Sequence, residues 1–168
     1  MIHVCSLDDV AAVAERVAPG YLISLVDPGR RVERPSSIAP ANHLTRHFHD
    51  IVAVRPGHVA PAAGDIERLL RFGRDWDGAR PLLIHCHGGV SRSPAAAFIL
   101  MCLLNEGRER DAALLLRKRA RHAWPNHRMV ELADGLMKRG GRMMAALLAM
   151  TPPETNVAAR LISLPARL

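Results

Sequence analysis

The order of apolar runs and helical repeats in this chain predicts an α/β fold, with a mainly parallel central sheet of about four to five strands flanked by helices. Two observations carry that expectation. Short apolar runs alternate with amphipathic stretches along the whole chain, the pattern of a parallel sheet joined by crossover helices. An apolar strand at residues 82–84 also passes through a glycine-containing turn into residues 93–104, which carry no charge. A helix that is hydrophobic all round belongs inside a domain.

Each element has its own signal. Residues 2–5, 21–26, 44–48 and 82–84 read as strands, with Asp27-Pro28-Gly29 punctuating the second and Arg80-Pro81 opening the last. Residues 8–18 read as a helix stopped by Pro19-Gly20, and residues 62–76 place Ile66, Leu69, Leu70, Gly73 and Trp76 on one helical face. Glu106-Gly107 ends the apolar helix, and further helices are expected over 111–123, 126–139 and 142–150. Asn126 suits the cap of one, and Gly140-Gly141 separates the last two. Residues 29–42, rich in Pro, Ser and Arg, read as a long surface loop. Residues 1–150 are thus expected to form one α/β domain. After the stop at Thr151-Pro152-Pro153 comes a tail, residues 151–168, whose Val157, Leu161, Ile162 and Leu164 can dock on the domain or on a neighbour.

A chain of 168 residues supports one sizeable core. Three cysteines, Cys5, Cys86 and Cys102, are too few for a disulfide framework and fit a reducing compartment. The longest uncharged apolar run, 94–104, is well short of the roughly 20 residues that cross a bilayer. No basic and apolar leader pattern opens the chain, so a cytoplasmic protein with no membrane partner is expected. The net charge of +7 comes almost wholly from arginine, since Lys118 and Lys138 are the only lysines. That is either a compositional bias or a sign of an anionic partner. Nucleic acid is not the expected one, because no run of aromatics interleaves with the basic residues. The oligomeric state is left open.

The informative stretch runs from Leu82 through His85-Cys86-His87-Gly88-Gly89-Val90-Ser91-Arg92-Ser93-Pro94. A loop between a strand end and a helix start can turn successive N–H groups inward, and the helix N-terminus adds to the attraction for an anion. Gly88 and Gly89 permit the positive φ angles such a curl can require. A cysteine at that rim is favoured as thiolate. Arg92 returns to the same place, and its planar fork holds two oxygens of one phosphate where a lysine cannot. A lone cysteine after a strand is ordinarily a small buried hydrophobe. Here cysteine, glycines, arginine and hydroxyls occur together, which singles out Cys86 as a nucleophile.

His85-Cys86-x-x-Gly89-x-x-Arg92-Ser93 resembles the HCxxGxxRS phosphate-binding loop of the protein tyrosine phosphatase superfamily, and Ser91-Arg92-Ser93 resembles its dual-specificity branch. Phe48-His49-Asp50-Ile51 is similar to that family's general-acid segment, and Arg119 to Pro125-Asn126 to its Arg-rich stretch followed by Pro-Asn. The resemblance implies a cysteine phosphatase fold and hydrolysis of phosphate monoesters through a phosphocysteine. In that scheme Cys86 attacks phosphorus, the loop from His87, Gly88, Gly89, Val90 and Ser91 to Arg92 binds phosphate, and Asp50 serves as acid and then base. Ser93 hydrogen-bonds the departing sulfur, and His85 orients the loop. No metal and no cofactor is required. The substrate implied is a phosphorylated protein or another phosphate ester.

Several expectations compete with these. Asp50 precedes Cys86 by more residues than the family's spacing, so a longer loop around Arg55-Pro56-Gly57 is needed. Asp65 is the rival acid, although its place at a helix start has its own explanation in the macrodipole. His47-x-His49 and His85-x-His87 have metal-ligand spacing, but histidines beside a phosphate site have a simpler account. The basic run Arg117-Lys118-Arg119-x-Arg121 is either a solvated helix face or a border of the pocket. A rhodanese-like sulfurtransferase or an arsenate reductase also presents a thiolate in an anion loop, and the latter needs a resolving cysteine nearby. A catalytically weak phosphoprotein-binding module is the remaining alternative.

Overall fold

The computed structural model describes residues 1–168 and contains all of the expected strands and helices. In chain order these are β1 (Ile2–Ser6), α1 (Val10–Val17), β2 (Tyr21–Val26), β3 (His43–His47), α2 (Ala63–Asp75), β4 (Leu82–Cys86), α3 (Arg92–Leu104), α4 (Glu109–Arg119), α5 (His127–Leu136), α6 (Arg142–Leu148) and β5 (Ile162–Leu164). The sheet order is β3-β2-β4-β1-β5, parallel among the first four and antiparallel at β5.

Side-chain alternation along each strand divides the molecule into two layers of core. Leu83 of β4 packs with Cys5, Leu22, Ile38 and the α1 residues Val10, Val13 and Ala14. Its neighbours Leu82, Ile84 and Cys86 face the other way, into the larger core around α3. That helix is buried from Arg92 to Cys102, as its lack of charge predicts. Burying side chains such as Phe98, Ile99 and Leu100 is worth about 1.5–3 kcal/mol each, so α3 is the spine against which α2, α4 and α5 pack.

Parallel strands all end on one side of a sheet, and ligands of α/β proteins collect there. Here that side gathers the loops after β2, β3 and β4, which are neighbours in the sheet. Residues far apart in sequence therefore converge on the end of β4.

Some boundaries differ from expectation for identifiable reasons. Strand β4 continues through His85 and Cys86 because both pair in register with Cys5 and Ser6 of β1. Helix α4 stops at Arg119, where Arg117 folds back: its Nη1 donates to the carbonyls of Ala120 and Arg121 and its Nη2 to that of Ala123. The tail docks on its own domain. Its β5 pairs with β1 through Ile2 and Leu164, and Asn105 fastens the end by donating to Ala166 O and accepting from Leu168 N. No helix is long and apolar enough to cross a membrane.

Candidate active site

The turn from β4 into α3 forms a cup. Gly89 has φ +69°, and a Cβ there would lie 3.0 Å from the Cys5 carbonyl carbon and the Ser6 nitrogen, so only glycine fits against β1. Gly88 behaves otherwise: its φ is not positive and a Cβ would meet only Val90 at 3.9 Å. The expectation that both glycines supply positive φ holds for Gly89 alone.

The orientation of this loop follows from where its polar backbone groups go. Three of its carbonyls are taken from outside: His87 O by Leu7 N (3.0 Å), Val90 O by Trp124 N (2.8 Å) and Ser91 O by Asn126 N (3.3 Å). None of the N–H groups from His87 to Ser91 donates to any other group of the protein. A carbonyl held outward turns the next residue's amide the other way, which applies to Gly88 and Ser91, and five successive N–H groups without protein acceptors leave donors free for an anion. The segment between α4 and α5, which supplies Trp124 and Asn126, is thus the brace of the loop.

Cys86 closes the floor of this cup. It is 2% exposed, lines the pocket, and accepts a hydrogen bond from Ser93 Oγ at 3.0 Å. The sulfur thus faces a hydroxyl in the first turn of α3. The other two thiols are placed differently. Cys5 packs against α1 on the opposite face, and burial pushes its thiol up to about 12, helped by Asp9 and Cys86. Cys102 is fully buried near the far end of α3, where burial raises its pKa, with Glu109 adding to the effect. Cys5 and Cys86 thus face opposite sides of the sheet, and Cys102 lies near the far end of α3.

Arg92 is 3% exposed, and its geometry is set by two residues outside its loop. Nη1 donates to Asp27 Oδ1 and to Phe48 O, both at 2.7 Å, while the buried Nε has no partner. The fork is therefore held by one nitrogen and presents its Nε–Nη2 edge free, which is the edge a phosphate takes in bidentate fashion. Asp27 was legible in sequence only as a turn residue. It follows β2, the strand between those that bear Asp50 and Cys86, and adjacency in the sheet gives it this role.

Asp50 reaches the same pocket. Its Oδ1 accepts from Ser91 Oγ (2.7 Å) and from Asn126 Nδ2 (2.8 Å), leaving Oδ2 without a partner and available for a proton. Asn126 does two jobs, since its Oδ1 caps α5 by accepting from Met129 N at 3.1 Å. The extra length before Cys86 is spent in an excursion closed at its base. His49 N donates to Val59 O (2.7 Å), Val59 N donates to His49 Nδ1 (2.9 Å), and a turn at Arg55 to His58 includes Gly57 with φ +73°. Asp65 is excluded from the pocket. It is buried, paired with Arg46, and its Oδ2 accepts from Ala62 N at the start of α2.

His85 points to the opposite face from Cys86. Its Nε2 lies 2.7 Å from Ser24 Oγ, which in turn is 2.8 Å from His43 Nε2. Burial lowers the His85 pKa to about 4, against a smaller opposing effect of the Cys86 carbonyl. It is a neutral hydrogen-bonded member of the sheet beneath the loop. The two His-x-His pairs assemble no metal set, as no three His, Cys, Asp or Glu side chains come together in ligand geometry. The basic run does not line the pocket: Arg117 holds the turn after α4, and Arg121 pairs with Glu154.

The completed pocket, about 370 Å³, is lined by Cys86, Arg92 and the loop between them, by Asp27, and by His49, Asp50, Ile51 and His58. No family model matches the chain, and no curated protein sequence does. Solved structures do. The PTP-2 phosphatase of Cydia pomonella superposes with a TM-score of 0.61 at 22% identity, over 80% of this chain and 84% of that one. PTPMT1, solved in complex with PI(5)P, gives 0.63 at 13% identity over 86% and 93%. DUSP15 gives 0.61 at 15% identity over 89% and 92%. The chain therefore has the cysteine phosphatase fold, in the form shared by dual-specificity-like members of the protein tyrosine phosphatase superfamily.

Proposed function

We propose that this protein is a phosphate monoester hydrolase working through a phosphocysteine on Cys86. The observation that carries the reading is the ring of donors with nothing in the protein to bind: the amides of His87 to Ser91 and the open edge of Arg92, all gathered around one sulfur. Those donors match the three equatorial oxygens of a phosphoryl group as charge spreads over them in the transition state.

The chemistry balances with the side chains present. Cys86 Sγ forms the S–P bond as the ester P–O bond breaks, and Asp50 passes its proton to the departing oxygen. Water then attacks phosphorus, Asp50 takes back a proton, and the sulfur leaves with the Ser93 hydroxyl to receive its charge. Inorganic phosphate and an alcohol or phenol are released.

The competing chemistries fit less well. An arsenate reductase needs a resolving thiol, and Cys5 and Cys102 are on the wrong face and at the wrong end of α3. A sulfurtransferase has no use for a carboxylate fixed by Ser91 and Asn126 over the loop. The direct assay is turnover of p-nitrophenyl phosphate, inhibited by vanadate, unaffected by EDTA and abolished in Cys86→Ser. Activity that survives this substitution rules the mechanism out.

A further inference from the structure

Arg117 stands in the last turn of α4, and an arginine there ordinarily serves the helix, because the final carbonyls of an α-helix have no partner within it. Two of its bonds fit that role: Nη1 donates to Ala120 O at 3.0 Å and to Arg121 O at 2.8 Å. The third does not. Nη2 donates at 3.0 Å to Ala123 O, beyond the helix end, and Ala123 O shares one planar trans peptide with Trp124 N. The two ends of that peptide point in opposite directions, and its N–H donates to Val90 O at 2.8 Å. Val90 O in turn shares a peptide with Ser91 N, a donor without a protein acceptor in a residue that lines the pocket. A guanidinium outside the pocket is thus joined to a free donor of the phosphate loop by two peptide groups in series.

We infer that Arg117 is a positioning residue of the phosphate loop, fixing the direction of the Ser91 amide through the Ala123–Trp124 and Val90–Ser91 peptides. This rests on the phosphatase reading above and names a residue that serves it without touching substrate. Hydrogen bonds in series polarise one another, and a charged first donor strengthens the series. A peptide held at both ends also cannot rotate. With Ala123 O bound, Trp124 N stays aimed at Val90 O, which keeps Ser91 N turned the other way, toward the anion. The tail secures the same turn from outside, since Arg121 O also accepts from Glu154 N at 2.9 Å. The Arg121 side chain pairs with Glu154 and bonds to the tail alone, so it carries the same charge on the same turn without joining the series.

The test titrates inorganic phosphate by calorimetry into the whole chain. Arg117→Met removes the guanidinium, and Arg117→Lys keeps the charge but loses the fork that spans three carbonyls. Phosphate affinity should fall about three- to tenfold in Arg117→Met and by less in Arg117→Lys, with kcat/KM for p-nitrophenyl phosphate falling at least as much. Arg121→Gln removes the same charge and should change either quantity by less than about twofold. In amide nitrogen–proton spectra of the free protein, the Ser91 resonance should move in both Arg117 variants and stay in place in Arg121→Gln. A residue that only caps α4 would lower the unfolding temperature and leave phosphate affinity and the Ser91 resonance as they were, and that result overturns the inference. So does an equal loss in Arg121→Gln, which would trace the effect to net charge. Should Arg117→Met not fold, Arg117→Lys decides by the same two readings. Weaker phosphate binding in Arg117→Met, in a protein that hydrolyses no ester, would keep this inference and sink the catalytic one.

Discussion

Two loops meet over the same pocket and are built in opposite ways. The loop from Cys86 to Arg92 is contiguous in sequence, pinned between a buried strand and a buried helix, and three of its carbonyls are held by amides from outside it. The loop from Phe48 to Ala62 is exposed over most of its length, with Val52, Val54 and Val59 at least half accessible, and it is closed only at its base. Its Asp50 carboxylate is held by residues from other parts of the chain. The difference teaches that the groups of the Cys86 loop are consecutive in sequence and only braced from outside, whereas Asp50 is brought to them by tertiary contacts alone. The cradle must be rigid because its amides cannot reorient without breaking the outward bonds of their carbonyls. The acid needs only one hydrogen-bonded anchor and one free oxygen.

Substitutions can break or sharpen this contrast. The largest effect is expected where each loop touches the reaction. Asp50→Asn should slow kcat by about 10²–10⁴ with a poor leaving group and far less with p-nitrophenyl phosphate, whose leaving group departs without a proton. Steady-state kinetics with an alkyl and an aryl ester separate the two, and an equal loss on both would remove Asp50 from the acid role. Arg92→Lys should cost about 10²–10³ in kcat/KM, because a lysine cannot offer the free edge and leaves Asp27 and Phe48 O without their donor.

Smaller effects probe the supports. Asn126→Asp retains an acceptor for Met129 N but removes the donor to Asp50 and sets a like charge beside it. Turnover should fall by about tenfold while thermal unfolding shifts little, since the cap persists. A collapse in stability equal to that of Asn126→Ala would show that only the cap matters. Asp27→Asn should raise KM by about tenfold with a lesser change in kcat, through a looser guanidinium.

The smallest effect on rate belongs to the far face of the sheet. His85 is neutral when folded, with its pKa lowered from 6.5 to about 4 by burial, so the unfolded chain binds more protons between those values. Stability should therefore be full above about pH 6.5 and decline as the pH falls toward 4, by on the order of 3 kcal/mol from this residue. His3, His43 and His122 are also depressed by burial and act in the same direction. Urea unfolding of His85→Gln at a series of pH values should give a flatter curve than wild type. An unchanged slope would mean that His85 is not the group responsible.

The grouping of residues in the loop after β4 was legible from residue types alone. Cys86, Gly89, Arg92 and Ser93 take the places that their spacing implied, and the uncharged run after Pro94 is the buried helix it promised to be. The sequence preferred Asp50 over Asp65 for a place near Cys86, and the structure puts Asp50 in the pocket lining and keeps Asp65 in an ion pair with Arg46. Other features had no sequence signal. Asp27 stood in a turn motif that fits many roles, and Trp124 acts through its backbone nitrogen, which every residue except proline offers. Ser24 and His43 join His85 only because β2 lies between β3 and β4.

Residue identity and short-range spacing determined what could be determined without long contacts: the alternation that gives a parallel sheet, the buried spine of α3, and the cysteine, glycine and arginine of one loop. Those features obey local rules, since side-chain period and backbone φ are properties of a few consecutive residues. Tertiary structure alone decided which edge of Arg92 stays free, which oxygen of Asp50 is left without a hydrogen bond, and that the tail ends as a fifth strand on β1. Each of those depends on strand order and on distant partners, the farthest being Ile2 and Leu164, 162 positions apart in the chain. The interactions that choose among such arrangements exist only once the sheet has formed.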